Sequence, residues 1–310
     1  METPDRAALA EHLSRTRIAG AVATPRENNL LHYRLLADRD PYYLLGLDPS
    51  RDWTEESVLE LMAQRVGVDP DPRHRFGADT IDPQCTLDAL DRYADRLATA
   101  AARRETVLFA TGHPDSLAPL YQCLAEALRA RGCPILRAGE GWGYEAAGRY
   151  GPRRLSIAYP PITAVPAVAA PSPGSAPSAD SPDTASSPDT APAPGERADR
   201  GEVAVLVEQD RPVHSHAARP IRATFAALAT SGRALPGLVV ADHGWCGGAA
   251  QAGADAIGFA DCNDPALFVG EHEGVVRVAV PLDDGLEPAA YGPLGAYLLA
   301  RLAAQTVAES

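Results

Sequence analysis

The chain has 310 residues, 41 acidic against 28 basic side chains for a formal charge of −13, and 45% hydrophobic content, enough for one large or two ordinary domains around a buried core. All 28 basic residues are arginine, which excludes a Schiff-base lysine, a pyridoxal-phosphate anchor and a Walker-type phosphate loop. The acidic balance argues against nucleic acid as a partner, no apolar stretch approaches the roughly 20 residues that cross a bilayer, and the charged N-terminus is unlike a signal peptide, so the reading is a cytoplasmic protein without membrane attachment.

Residues 1–104 read as a helical N-terminal region. Asp52 or Thr54 can cap a short amphipathic helix that follows the turn at 49–52. A loop rich in Asp and Pro at 68–72 precedes a longer helix from Pro83 to about Arg104, with Leu87, Leu90, Tyr93, Ala94 and Leu97 at helical spacing. From Thr106 the pattern changes to short apolar runs that end in small polar loops and lead into helical segments, as buried strands of βα units do. Residues 106–110 lead into 111–116 and a helix over 117–131; residues 201–207 lead into 210–216 and a helix reaching about 230. Residues 238–241 lead into 242–245 and an Ala-rich helix, and 256–260 into 261–265. A last strand at 275–280 ends at Pro281-Leu282-Asp283-Asp284, before a C-terminal helix over about 294–306.

These elements predict an α/β fold, a Rossmann-like and largely parallel sheet with flanking helices, made of 105–163 and 201–310. Between strand-like runs at 155–159 and 201–207, residues 164–200 are mostly Pro, Ala, Ser and Asp, and Ser-Pro-Asp-Thr-Ala occurs twice. Such a composition cannot offset the entropy of folding, and predicts a disordered loop insertion. The five cysteines are odd in number, scattered and without a C-x-x-C pair, which suggests neither a disulfide framework nor a structural zinc site.

In an open α/β sheet, ligands bind beyond the carboxyl ends of the strands. Five of the eight histidines lie in the α/β half, and four of them, His113, His214, His216 and His243, directly follow a predicted strand. Thr111-Gly112-His113, with Ser116 at the start of the next helix, suits an anion; the competing reading is an ordinary turn with a helix cap. His214 and His216, two positions apart, point to one side of an extended segment and can converge on a phosphate or a metal. Asp242-His243 and Asp261-Cys262-Asn263-Asp264 end strands on carboxylates, which hold a divalent cation or position a base for water, although Asp264 also suits a plain cap. Cys123 and Arg129 match a cysteine-phosphatase spacing, but lie in a helix with no glycine between them and read as packing.

Taken as a set, Thr111-Gly112-His113-Pro114, His214-Ser215-His216 with Pro220, Val240-Ala241-Asp242-His243-Gly244-Trp245, Ala260-Asp261-Cys262-Asn263-Asp264-Pro265 and Val280-Pro281-Leu282-Asp283-Asp284 resemble a family of actinobacterial phosphatases. The resemblance covers most of the chain; the long segment 164–200 and Ala217-Ala218 depart from it. It implies a phosphoric monoester hydrolase acting on a small phosphorylated substrate. In that reading His113, Asp242 and His243 are catalytic, with His243 moving a proton. Thr111, Gly112, Ser116, His214, His216 and Asn263 contact phosphate, and Asp242, Asp261 and Asp264 hold a divalent metal such as Mg, Mn or Zn. The rival expectation is a non-catalytic binding module for a nucleotide, sugar phosphate or other anion, since the same loops serve capture without turnover.

Overall fold

A computed structural model describes residues 5–147, 151–165 and 201–308. All but the first two residues of the 164–200 insertion lie outside the described residues. The elements run α1 (Arg6–Thr16), β1 (Gly20–Pro25), α2 (Arg26–Ala37), α3 (Glu55–Arg65), β2 (Ala78–Ile81) and α4 (Pro83–Arg103). There follow β3 (Val107–Ala110), α5 (Ala118–Ala130), β4 (Gly143–Ala146), β5 (Arg153–Ala158), β6 (Val203–Glu208), β7 (Arg211–Pro212) and α6 (Arg219–Thr230). The chain closes with β8 (Leu238–Val240), α7 (His243–Gln251), β9 (Ala256–Ala260), α8 (Pro265–His272), β10 (Val278–Pro281) and α9 (Gly292–Ala308).

The central sheet is mixed, a correction to the largely parallel one expected. Its order is β10-β9-β8-β3-β6-β5-β4, with β7 also on β6. The first five of these strands are parallel, whereas β4, β5 and β7 pair antiparallel. Strand-like residues at 155–159 were legible in sequence, but their direction is fixed by the tertiary pairing Ala158↔Val205. Strands β3, β8, β9 and β10 are buried along their whole length, as continuous apolar runs covered on both faces must be. Helices α1, α4, α5 and α9 pack on one another, and α6, α7 and α8 form a second row. No helix among the described residues is long and apolar enough to cross a membrane.

Within the parallel set the chain passes from β3 to β6 on one side and then to β8 on the other. Connections therefore leave β3 and β8 in opposite directions and open a crevice between their carboxyl ends, the place where such sheets bind ligands.

The N-terminal part carries the capped helices expected of it. Thr54 and Ser57 form a reciprocal cap on α3, and Asp82 caps α4 with Pro83 in its first turn. It also contains strands β1 and β2, which pair antiparallel and are absent from the sequence reading. Beside this ladder a buried ion pair ties α2 to β2: Arg26 Nη1 donates to Asp79 Oδ2 at 2.9 Å with both side chains 0% exposed. Asn29 Nδ2 donates to the same oxygen at 2.9 Å, and the Asp69 and Thr80 amides donate to Oδ1. One cluster of buried side chains, from Leu9 to Leu302, spans the N-terminal helices and the sheet.

Candidate active site

Five strand ends deliver the polar loops to one rim. Thr111, Gly112 and His113 follow β3, and Asp242 and His243 follow β8, so the two flank the crevice. Asp261 to Asp264 follow β9, and Asp283 and Asp284 follow β10. The sixth and seventh strands form a tight hairpin at Gln209 and Asp210, both with positive φ, which folds His214 and His216 back over the rim.

Asp242 is fully buried and held from the β3 loop: Thr111 Oγ1 and the Gly112 amide each donate to it at 2.5 Å. Thr111 Oγ1 in turn accepts from the His113 amide at 2.8 Å. The donors expected to cradle phosphate are thus directed at a carboxylate. Burial alone would raise the Asp242 carboxyl, but the adjacent His243, then His113 and Thr111, outweigh it and hold it below the usual range.

His243 sits where the strand turns sharply into α7, with φ at 43°, a left-handed conformation that costs an L residue about 1–3 kcal/mol. Its ring is buried between carboxylates. Nε2 is 2.9 Å from Asp264 Oδ2 and 3.8 Å from Asp284 Oδ2, and Nδ1 is 3.5 Å from Asp242 Oδ1 without a hydrogen bond. Burial alone would lower His243, but Asp264, Asp242 and Asp284 outweigh it and raise its pKa well above the ordinary value. Burial first, then the neighbouring charge of His243, lowers His113 and His216 to about 3 each. Those two imidazoles are neutral at physiological pH.

Four rings meet here. His113 lies 4.3 Å from both His214 and His243, and His216 lies 4.3 Å from His243 and 4.9 Å from His214, between centroids. Tyr42 stacks on the outer face of His216 at 4.5 Å and 10°, and so marks the mouth.

Two glycines let the loops approach. A Cβ on Gly112 would stand 2.4 Å from the Ser215 carbonyl and 2.8 Å from His243 Nδ1. On Gly244 it would stand 2.3 Å from the His216 carbonyl and 2.5 Å from the Ala217 carbonyl carbon. Gly244→Ala must push the His214–His216 segment away from α7, and is expected to cost about 1–3 kcal/mol, read as a lower denaturation midpoint. An unchanged midpoint would show that this backbone contact is not tight.

The sequence-predicted residues therefore divide. His113, His214, His216, Asp242, His243 and Asp264 gather within one cluster. Ser116 spends its proton on the Asp284 carbonyl at 2.5 Å. Asn263 offers its carbonyl to His32 Nδ1 at 2.7 Å. Asp261 turns to Thr24 Oγ1 at 2.5 Å and to the Cys262 amide at 2.6 Å; burial first, with Asp283 and Asp264 adding, pushes its carboxyl up to about 7.

Several contributors were not read from sequence. Asp284 lies 3.4 Å from His113 Nδ1, at the end of the Pro281-Leu282-Asp283-Asp284 run that follows β10. Thr24 and Tyr42 reach the rim from the N-terminal part. Asn29 Nδ2 donates to Cys262 Sγ at 3.3 Å, and Tyr33 Oη to the Cys262 carbonyl at 2.8 Å. Arg26, Asn29 and Tyr33 recur at i, i+3 and i+7 on the buried face of α2, and that polar stripe was the available signal.

A comparison with known families matches this chain to one described as Phosphatase, over residues 4–185 and 189–306. The chain belongs to the Phosphatase family. Among curated relatives it is similar to Phosphatase SCO2771 of Streptomyces coelicolor, 45% identical over 299 residues that cover 96% of each protein. The family match takes in both the N-terminal elements and every strand-end loop of the rim, in agreement with the resemblance to actinobacterial phosphatases over most of the chain.

Proposed function

We propose that the chain hydrolyses a small phosphomonoester at the crevice between β3 and β8. The observation that carries this reading is the meeting of four imidazoles with Asp242, Asp264 and Asp284 at the topological switch point of a phosphatase-family chain. The phosphoryl group is received against the face formed by His113, His214 and His216. Asp284, whose Oδ2 has no hydrogen-bond partner, is placed to orient the attacking water, and the leaving group exits past Tyr42. His243 is the hub, because Asp264 fixes one ring nitrogen while the other faces the His113 loop.

Phosphate release by the full chain, measured over a panel of small phosphomonoesters, tests the proposal. Turnover of at least one ester is expected, with kcat at least 10²-fold lower in Asp242→Asn, since the amide cannot supply the charge that Thr111 and Gly112 position. Ester binding by the parent without any phosphate release would favour an anion-binding module instead.

A further inference from the structure

We infer that the imidazole cluster is a nitrogen-rich site for one divalent transition ion of the zinc class, with His113, His214 and His243 as its ligands. This builds on the phosphomonoesterase reading, and uses a donor set different from the carboxylates Asp242, Asp261 and Asp264 expected from sequence.

The first argument is charge. Asp242, Asp264 and Asp284 are each at most 5% exposed, and among the described residues their ion-pair partners are histidines. The chain has no lysine. Three buried carboxyl groups share the one raised imidazole of His243, and no arginine pairs with them among the described residues, so a site that also receives a phosphate is short of positive charge. A bound cation supplies what the side chains lack.

The second argument is geometry. One donor atom from each of His113, His214 and His243 lies within 4.8 Å of the others, and a second such group, His216, His243 and Asp264, shares His243. Both groups draw on His243, whose Nε2 is engaged by Asp264, which leaves Nδ1 for a single ion. His243 Nδ1, His113 Nδ1 and Asp284 Oδ2 are buried polar atoms with no hydrogen-bond partner, a state that native proteins rarely leave unexplained. His243 Nε2 faces Asp264 at 2.9 Å, so an ion that displaces the Nδ1 proton finds the ring already oriented through Nε2–H; a histidine that binds a metal commonly donates its other N–H to a carboxylate in this way. His113 Nδ1 and Asp284 Oδ2 stand 3.4 Å apart, close to the separation of neighbouring ligands around a tetrahedral ion at about 2.1 Å. Imidazole donors favour zinc-class ions over magnesium, which prefers oxygen and water.

The test uses the full chain stripped with a chelator and titrated calorimetrically with Zn²⁺ alone and Mg²⁺ alone. Zn²⁺ is expected to bind at one ion per chain, at least 100-fold more tightly than Mg²⁺. His214→Ala, an exposed position that leaves the stripped protein's unfolding midpoint unchanged, is expected to weaken Zn²⁺ binding at least ten-fold, whereas His272→Ala, outside the cluster, leaves it unchanged. No Zn²⁺ binding by the parent, Mg²⁺ binding as tight as Zn²⁺, two ions per chain, or parent-like affinity in both His113→Ala and His214→Ala would overturn the inference. Zn²⁺ binding without phosphate release from any ester would sink the phosphatase reading and leave the metal site standing. Full-rate release by a stripped chain that binds no Zn²⁺ would do the reverse.

Discussion

Replacement of His243 by asparagine is expected to lower kcat for phosphate release by about 10²–10³-fold, the loss that follows removal of one preorganised polar group from an active site. The hub ring contacts Asp242, Asp264 and Asp284, so its loss undoes the order of all three carboxylates at once. Asparagine is the informative substitute because it tolerates the left-handed backbone at this turn better than most side chains. Alanine would confound lost chemistry with a strained elbow. A variant that keeps its unfolding midpoint and loses turnover locates the effect in the imidazole. A variant with parental kcat would show that the cluster does not serve the reaction.

The second large effect lies far from the phosphate. Asp79→Asn leaves the Arg26 guanidinium at 0% exposure without its counter-charge, and breaking a buried pair from one side is expected to cost about 3–5 kcal/mol. Denaturant unfolding of the two proteins measures it; a difference below about 1 kcal/mol would mean that the carbonyls of Asp71 and His74, which also accept from Arg26, suffice alone. The same change disturbs Asn29, which bonds both Asp79 and Cys262. Stability and geometry at the rim are therefore linked through one side chain of α2.

That ion pair also explains what the sequence concealed. β2 reads Ala-Asp-Thr-Ile with its aspartate facing inward, and a charged residue at a core position looks like a loop until its partner, 53 residues away, is known. The parallel strands were legible because each is an unbroken apolar run closed by a polar loop, and the helix from Pro83 because its apolar spacing and its cap agree. The histidines of the rim were legible because each stands at a strand end. The orientation of the loop donors was not. Thr111-Gly112-His113 has the composition of an anion cradle, and only the fold reveals that its hydroxyl and amide face Asp242. Asp284 went without a role for a related reason: it follows the outermost parallel strand, distant in sequence from any imidazole.

The pairing of β5 with β6 has a consequence for the chain between them. Ala158 lies beside Val205, and a Cβ on Gly201 would strike the Pro160 carbonyl at 1.9 Å, so the stem is clasped before the intervening chain departs. A stem clasped on both sides in this way keeps β5 against β6 whatever the length of chain that joins them.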